Sequence, residues 1–178
     1  MYSEEELIDR CLQNNSRAQE SFYRRFAPKM YGVCLRFAKN QMEADDILQE
    51  GFIKVYLNLK AFRNEGSLEG WIRRTIVNTA INYYKKNAKY LKDIEIEKAE
   101  IMLSMNEGAL DKISVKELLS LIRELPSGYR MVFNLNVMEG YTHKEISQLL
   151  DISENTSKSQ LSRARQTLQR KLKEISSI

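Results

Sequence analysis

Apolar residues recur three or four positions apart along nearly the whole chain, and alternation every second residue is hard to find. That spacing is the period of an α-helix, so the sequence predicts an all-α protein. The clearest pair of elements lies between Gly140 and Leu172. Thr142 followed by Glu145 has the form of a capping box, in which the hydroxyl accepts a backbone N–H and the carboxylate reaches back. Ile146, Leu149 and Leu150 give the first helix an apolar side. Asp151-Ile152-Ser153 reads as the turn, with Ser153 the N-cap of the second helix. There Leu161, Ala164, Leu168 and Leu172 form one buried stripe. Gly140 stands where the preceding helix calls for a left-handed residue. The pattern is a helix-turn-helix.

Upstream, Ala18 to Phe37 predicts a helix rich in aromatics: Phe22, Tyr23, Phe26, Tyr31 and Phe37. Glu43 to Tyr56 predicts a second. On it Leu48, Phe52, Val55 and Leu59 share a core face, while Asp46, Gln49, Glu50 and Ile53 share another. Phe62 to Trp71 reads as a polar loop, and Trp71 to Lys86 as a helix. In the C-terminal part we expect a helix through Leu125, a break at Pro126 and a helix from Ser127 to Met138. Leu118, Leu121, Ile122, Leu125, Met131, Phe133, Leu135 and Val137 would bury the last two helices from behind. Residues 89 to 112 carry scattered charge and irregular apolar spacing, the mark of a linker. The expected organisation is two small helical domains, 1–88 and 113–178, joined by a flexible linker over 89–112, with the helix-turn-helix in the second.

Charge narrows the choice of partner. A net charge of +4 over 178 residues is mild, so any nucleic-acid surface must be local. The chain has no run of eighteen apolar residues and opens on MYSEEELIDR, so we expect no signal peptide, no membrane insertion and a cytoplasmic protein. Cys11, Cys34 and the single His143 form no ligand-spaced cluster, so the thiols read as reduced and no metal or cofactor is expected. His143-Lys144-Glu145 has the wrong spacing for a metal motif. No nucleophile–base pair or phosphate-cradling glycine loop appears, and the chain does not read as an enzyme.

Three surfaces carry candidate chemistry. The second helix of the helix-turn-helix is lopsided: Lys158, Arg163, Arg165, Arg170, Lys171 and Lys173 stand against the early Glu154, whose place at the helix N-terminus suits the dipole. Lys158, Ser159, Ser162, Arg163 and Arg165 lie near its start, where such helices meet base edges and phosphates of duplex DNA. In Trp71 to Lys86, Arg73, Arg74, Asn78, Asn82, Lys85 and Lys86 are interleaved with apolar and aromatic residues, a composition suited to melted strands. Trp71, at the loop–helix junction, can also cap a core. The acidic face around Ile53 is either a solvated surface or a docking site for a basic partner.

Taken in order, EADDILQEGFIKVY, FRNEGSLEGWIRRTIVNTAINYYKK and LPSGYRMVFNLNVMEGYTHKEISQLLDISENTSKSQLSRAR resemble successive signature regions of a bacterial RNA polymerase sigma factor. The two-domain form resembles the extracytoplasmic-function (ECF) group of the sigma-70 family, over about Ala18 to Leu172. The resemblance implies that Asp45, Asp46, Gln49, Glu50 and Ile53 dock on the clamp helices of the largest subunit of core RNA polymerase. It implies that Asn64, Glu65, Ser67 and Leu68 capture a flipped base of the promoter −10 element, extrusion costing a few kcal/mol that a pocket must offset. Trp71, Arg73, Arg74, Asn78 and Lys85 would separate and grip the strands. Lys158, Ser159, Ser162 and Arg163 would face bases of the duplex −35 element, and Thr156, Gln160 and Arg165 its phosphates. The linker would thread the polymerase cleft. Exposed apolar and basic surfaces would suit an anti-sigma factor as a further partner.

This chain departs from the family pattern at Ser157, where a small apolar residue is frequent, and at Gln160, where a basic one is. The first puts the seating of the recognition helix in question, the second its phosphate contact. Two other readings stay open: a dimeric helix-turn-helix regulator with a sensing N-terminal half, and an interaction protein whose basic helix binds an acidic partner.

Overall fold

A computed structural model describes residues 2–91 and 114–176. The chain divides into two compact units, Met1–Ala80 and Ile81–Ile178, each described here by itself. Among the described residues every regular element is helical. Beyond Leu91, the segment read as a linker lies outside the described residues.

The first unit holds α1 (Glu4–Leu12), α2 (Ser16–Phe37), α3 (Gln41–Asn58), a 3-10 turn (Leu59–Ala61) and the start of α4 (Leu68–Leu91). Polar side chains fix where the first three begin. Ser3 and Glu6 form a reciprocal capping box, Asn15 Oδ1 accepts the Ala18 N–H at 3.0 Å, and Asn40 Oδ1 accepts that of Glu43 at 2.9 Å. The Ser3–Glu6 spacing is a helix signal that periodicity over so short a segment does not give. Phe22, Met30, Ile47, Val55, Leu59, Leu68, Ile72, Ile76 and Val77 are the large side chains fully or almost fully buried in this core. Phe22 packs on Phe26 and Tyr56, with ring centroids 4.9 and 5.5 Å away. The Tyr56 hydroxyl donates to the Gln19 carbonyl at 2.8 Å, tying α3 to α2.

α4 begins at Leu68 rather than Trp71 because Ser67 Oγ accepts the Gly70 N–H at 3.1 Å and caps it. Leu68 therefore belongs to the helix and is fully buried, not to the loop in which the sequence placed it. Cys11 and Cys34 are buried free thiols. Burial pushes them up to about 11 and about 12 respectively, which keeps them protonated and unreactive.

The second unit contains α5 (Val115–Arg123), α6 (Ser127–Phe133), α7 (His143–Leu150) and α8 (Glu154–Ser176). Leu121, Ile122 and Leu125 meet Ala164 and Leu168 of α8, with Tyr129, Phe133 and Leu172 packed against them. Met131 and Leu135 are buried as expected, but Leu118 and Val137 are exposed, the latter at 44%. Leu118 shares the helical spacing of buried Leu121, Ile122 and Leu125 but stands near the start of α5, and Val137 comes after the end of α6, so helical spacing alone misplaced them. Arg130 is buried, and its Nη1 donates to the carbonyls of Arg123 (2.8 Å) and Leu125 (3.0 Å) at the end of α5. A cation on those carbonyls satisfies groups that α5 cannot pair internally.

The helix predicted over Ser127–Met138 ends as an α-helix at Phe133. It then widens into a π-type turn over Asn134–Met138, where the Glu139 N–H donates to the Asn134 carbonyl at 3.0 Å. Buried Asn134 donates from Nδ2 to the Arg130 carbonyl at 2.9 Å, an acceptor it shares with its own backbone N–H. Gly140, at φ 76°, makes the left-handed exit that the sequence predicts.

A close approach tests the first core. A Cβ built on Gly51 would lie 2.4 Å from Cδ1 of fully buried Ile76. Gly51→Ala should therefore lose about 1–3 kcal/mol to overpacking, offset by up to about 1 kcal/mol of helix propensity. In chemical denaturation, Ile76→Val, which deletes Cδ1, should cost less in the Gly51→Ala background than in the wild type. Strict additivity would show that the two helices do not meet this closely.

Candidate nucleic-acid interface

The helix-turn-helix is set by its caps. Thr142 Oγ1 accepts the Glu145 N–H at 3.2 Å, and the Glu145 carboxylate accepts the Thr142 N–H and hydroxyl, each at 2.8 Å. Asp151, at φ 56°, makes the turn, and Ser153 Oγ accepts the Thr156 N–H at 3.0 Å to start α8. α8 buries Ser157, Leu161, Ala164 and Leu168. Ser159, Ser162 and Arg163 lie opposite that stripe with Lys158 beside them, and all four are exposed. Thr156 and Gln160 flank them on one side and Arg165 on the other.

Local partners qualify several of these residues. The Thr156 hydroxyl lies 2.8 Å from Ser153 Oγ, so it belongs partly to the cap. Ser159 Oγ donates to the Thr156 carbonyl at 3.0 Å, leaving its lone pairs outward. Half-buried Gln160 lies against α6, where a Cβ on Gly128 would be 3.2 Å from its Nε2. Arg163 Nη1 donates to the Tyr129 hydroxyl at 3.3 Å. Ser157, the other departure from the family pattern, is 0% exposed and its Oγ is 2.9 Å from His143 Nδ1. Sequence reading missed Gly128, Tyr129 and His143 because their contacts cross between helices.

In the first unit the loop before α4 exposes Asn64, Glu65 and Ser67. Asn64 and Gly66 adopt φ of 57° and 108°, a sharp double turn that suits Asn and Gly. Half-buried Trp71 packs on Phe62 at 5.7 Å, bracing the loop's two ends. Arg74, Asn78 and Lys85 follow Trp71 on one face of α4. Half-buried Arg73 falls on another side and is engaged within the protein. Lys29 Nζ donates to Glu69 at 2.7 Å, tying α2 to the first turn of α4.

On α3, Asp45, Asp46, Gln49, Glu50 and Ile53 are all exposed. Ile53 sits at the centre of the outward face, 54% exposed, and Met42 and Leu57 extend it at 74% and 78%. Those two are helical neighbours of Ile53 that lie just outside the predicted helix Glu43 to Tyr56. Glu50 pairs with Lys54 at 2.6 Å. Beside Asp45 runs a shallow depression lined by Tyr23, Ala27, Pro28, Tyr31 and Leu48. Among the described residues no cluster of His, Cys, Asp or Glu is arranged to hold a metal, and no helix is long and apolar enough to cross a membrane.

Two family models match this chain in order: Sigma-70 region 2 over residues 22–90 and Sigma-70, region 4 over residues 116–168. This chain is an ECF sigma factor of the sigma-70 family. It is similar to the RNA polymerase sigma-H factor of Pseudomonas aeruginosa, 25% identical over 97% of this chain and 95% of that one. It is likewise similar to the ECF RNA polymerase sigma-E factor of Escherichia coli strain K12, 27% identical over 95% and 94%. Among solved structures the sigma factor RpoE of Bartonella quintana, crystallised with the anti-sigma factor NepR, shares the fold. Its TM-score is 0.52 at 18% identity, covering 86% of this chain and 96% of that one. The protein is thus an alternative sigma factor that directs promoter-specific transcription initiation, with core RNA polymerase and promoter DNA as partners.

The cap of α7 makes this sigma factor's stability depend on pH. Hydrogen bonds from the Thr142 backbone and hydroxyl hold the Glu145 carboxyl below its ordinary value of 4.5. A carboxyl whose folded pKa is depressed contributes fully above its unfolded value and loses that contribution as the pH falls through the folded one. Glu145→Gln should therefore lower the melting temperature at neutral pH, and the gap from wild type should close on acidification below 4.5. A gap that stays constant with pH would mean the carboxylate does not serve the cap.

Proposed function

We propose that the two domains, 1–88 and 113–178, divide promoter recognition between them, with residues 89–112 as the tether. The face of α3 bearing Asp45, Asp46, Gln49, Glu50 and Ile53 docks on the clamp helices of the largest polymerase subunit. That face carries the reading. An apolar residue centred among acids suits a partner that is basic at its rim and apolar in the middle, and a plain duplex-binding regulator has no use for it.

Asn64, Glu65 and Ser67 then receive a flipped base of the −10 element, while buried Leu68 supports the loop from beneath. Trp71 wedges the strands, Arg74, Asn78 and Lys85 hold the freed one, and Arg73 steadies the helix. In the second domain, Lys158, Ser159, Ser162 and Arg163 read the −35 duplex from the major groove and Arg165 holds a phosphate. Thr156 and Gln160 serve chiefly to seat the helix. The sigma factor makes and breaks no bonds itself; polymerase does the chemistry, in the cytoplasm where the chromosome lies. An anti-sigma factor belongs to the same reading, as for the Bartonella relative, and would cover these surfaces until a signal frees them.

Transcription by sigma-free core polymerase, supplied with this chain and a library of random upstream DNA, should start at discrete sites sharing two upstream motifs. No added transcription, with dimeric binding to palindromes instead, would hand the case to an ordinary regulator. Asp46→Lys combined with Glu50→Lys should weaken capture of core polymerase in a pull-down while helical content is kept; unchanged capture removes the docking surface. Arg163→Ala should cost recognition of the preferred −35 sequence about 1–3 kcal/mol. An equal loss on every −35 sequence would make Arg163 a phosphate contact.

A further inference from the structure

We propose that His143 and Ser157 form a polar pin that sets the angle between α7 and α8, making both positioning residues for −35 recognition. The inference rests on the reading of α8 as the duplex-reading helix. His143 is the first residue of α7 and Ser157 the fourth of α8, so their bond joins the N-terminal ends of both helices. The N-terminal end of the second helix is the end a helix-turn-helix presents to base edges, with the first helix crossing the DNA backbone.

α7 and α8 pack on each other and bury apolar side chains, among them Ile146, Leu150 and Leu161. Such contacts are non-directional and tolerate small rolls of one helix on the other. A hydrogen bond is directional, and this one, at 2.9 Å between Ser157 Oγ and His143 Nδ1, fixes the roll where it matters. Ser157 is wholly buried, so leaving its hydroxyl proton without an acceptor would cost stability. The pin assigns the donor role to the Ser157 hydroxyl and the acceptor role to Nδ1, which calls for the tautomer with its proton on Nε2. A small apolar residue at 157 would fill the space without fixing the angle.

The chain's single histidine gives an uncluttered signal for the test. Nitrogen NMR of the full chain, well above the ordinary histidine pKa, should show an Nε2–H ring whose Nδ1 resonance moves on Ser157→Ala. Holoenzyme assembled with core polymerase is then tested on promoters holding one −10 element and a randomised −35 element. Ser157→Ala should flatten the −35 preference by about fivefold, with helical content and core binding unchanged. His143→Ala should do the same, and the double variant should be no worse than either single one. His143→Asn, whose amide can stand in for Nδ1, should restore most of the preference.

A wild-type preference in Ser157→Ala, or an Nδ1 resonance that does not move, overturns the pin. Arg163→Ala separates the two levels. If it flattens the preference and Ser157→Ala does not, the pin alone fails. If neither variant changes the preference or the level of −35-dependent transcription, the duplex-reading role of α8 fails and the pin with it.

Discussion

The burial of one apolar stripe on each long helix is the constraint on which every functional surface here depends. α8 commits Leu161, Ala164 and Leu168 to the core, and α3 commits Ala44, Ile47, Leu48, Phe52 and Val55. Filling roughly a third of a helix's circumference fixes its rotation, and the rotation decides which residues remain outside. On α8 the remainder is basic and hydroxyl-bearing; on α3 it is acidic with Met42, Ile53 and Leu57 left in the open. Hydrophobic burial thus selects the chemistry each helix presents without any of the presented residues contributing much to stability.

Directional contacts then refine what the stripes leave loose. Arg130 on the last carbonyls of α5, the Thr142–Glu145 capping box and Ser157 against His143 each sit where a helix begins or ends. Helix ends are where unpaired backbone groups must find partners, so a small set of side chains there governs how helices meet. α6 shows the same economy differently. Gly128 gives Gln160 room and Tyr129 receives Arg163, so one short helix steadies two side chains beside the exposed basic face of α8.

How much of this the sequence carried follows from the range of each interaction. Capping boxes, the left-handed Gly140 and the buried stripes are local, and Thr142, Ser153, Leu161 and Leu168 were readable from spacing alone. The start of α4 was read three residues late because Ser67 caps from within a run that composition marks as loop. The π-type turn after Phe133 has no counterpart in the apolar spacing, and burial of the polar Asn134 within it is not visible in periodicity. Leu118 and Val137 look like core and are not, since spacing along a helix does not tell how far the core extends toward its ends. Among the candidate site residues, exposure of the α3 and α8 faces was legible. The burial of Leu68, the seating of Gln160 and the pairing of Ser157 were not, because each depends on a residue distant in sequence.

The proposed division of recognition between two linked units has a thermodynamic consequence. Each unit alone offers one helix face and a few cations to DNA, and a few such contacts bind loosely at physiological salt. A flexible tether raises the effective concentration of the second unit only when its span matches the distance between the two promoter elements, and only modestly if it is left to diffuse. A third body that holds both units at a set separation removes that cost in advance. Core polymerase, gripping the α3 face, would supply it. On this view weak promoter binding by the free chain is a requirement rather than a defect: a sigma factor tight on DNA by itself would occupy promoters that no polymerase could use.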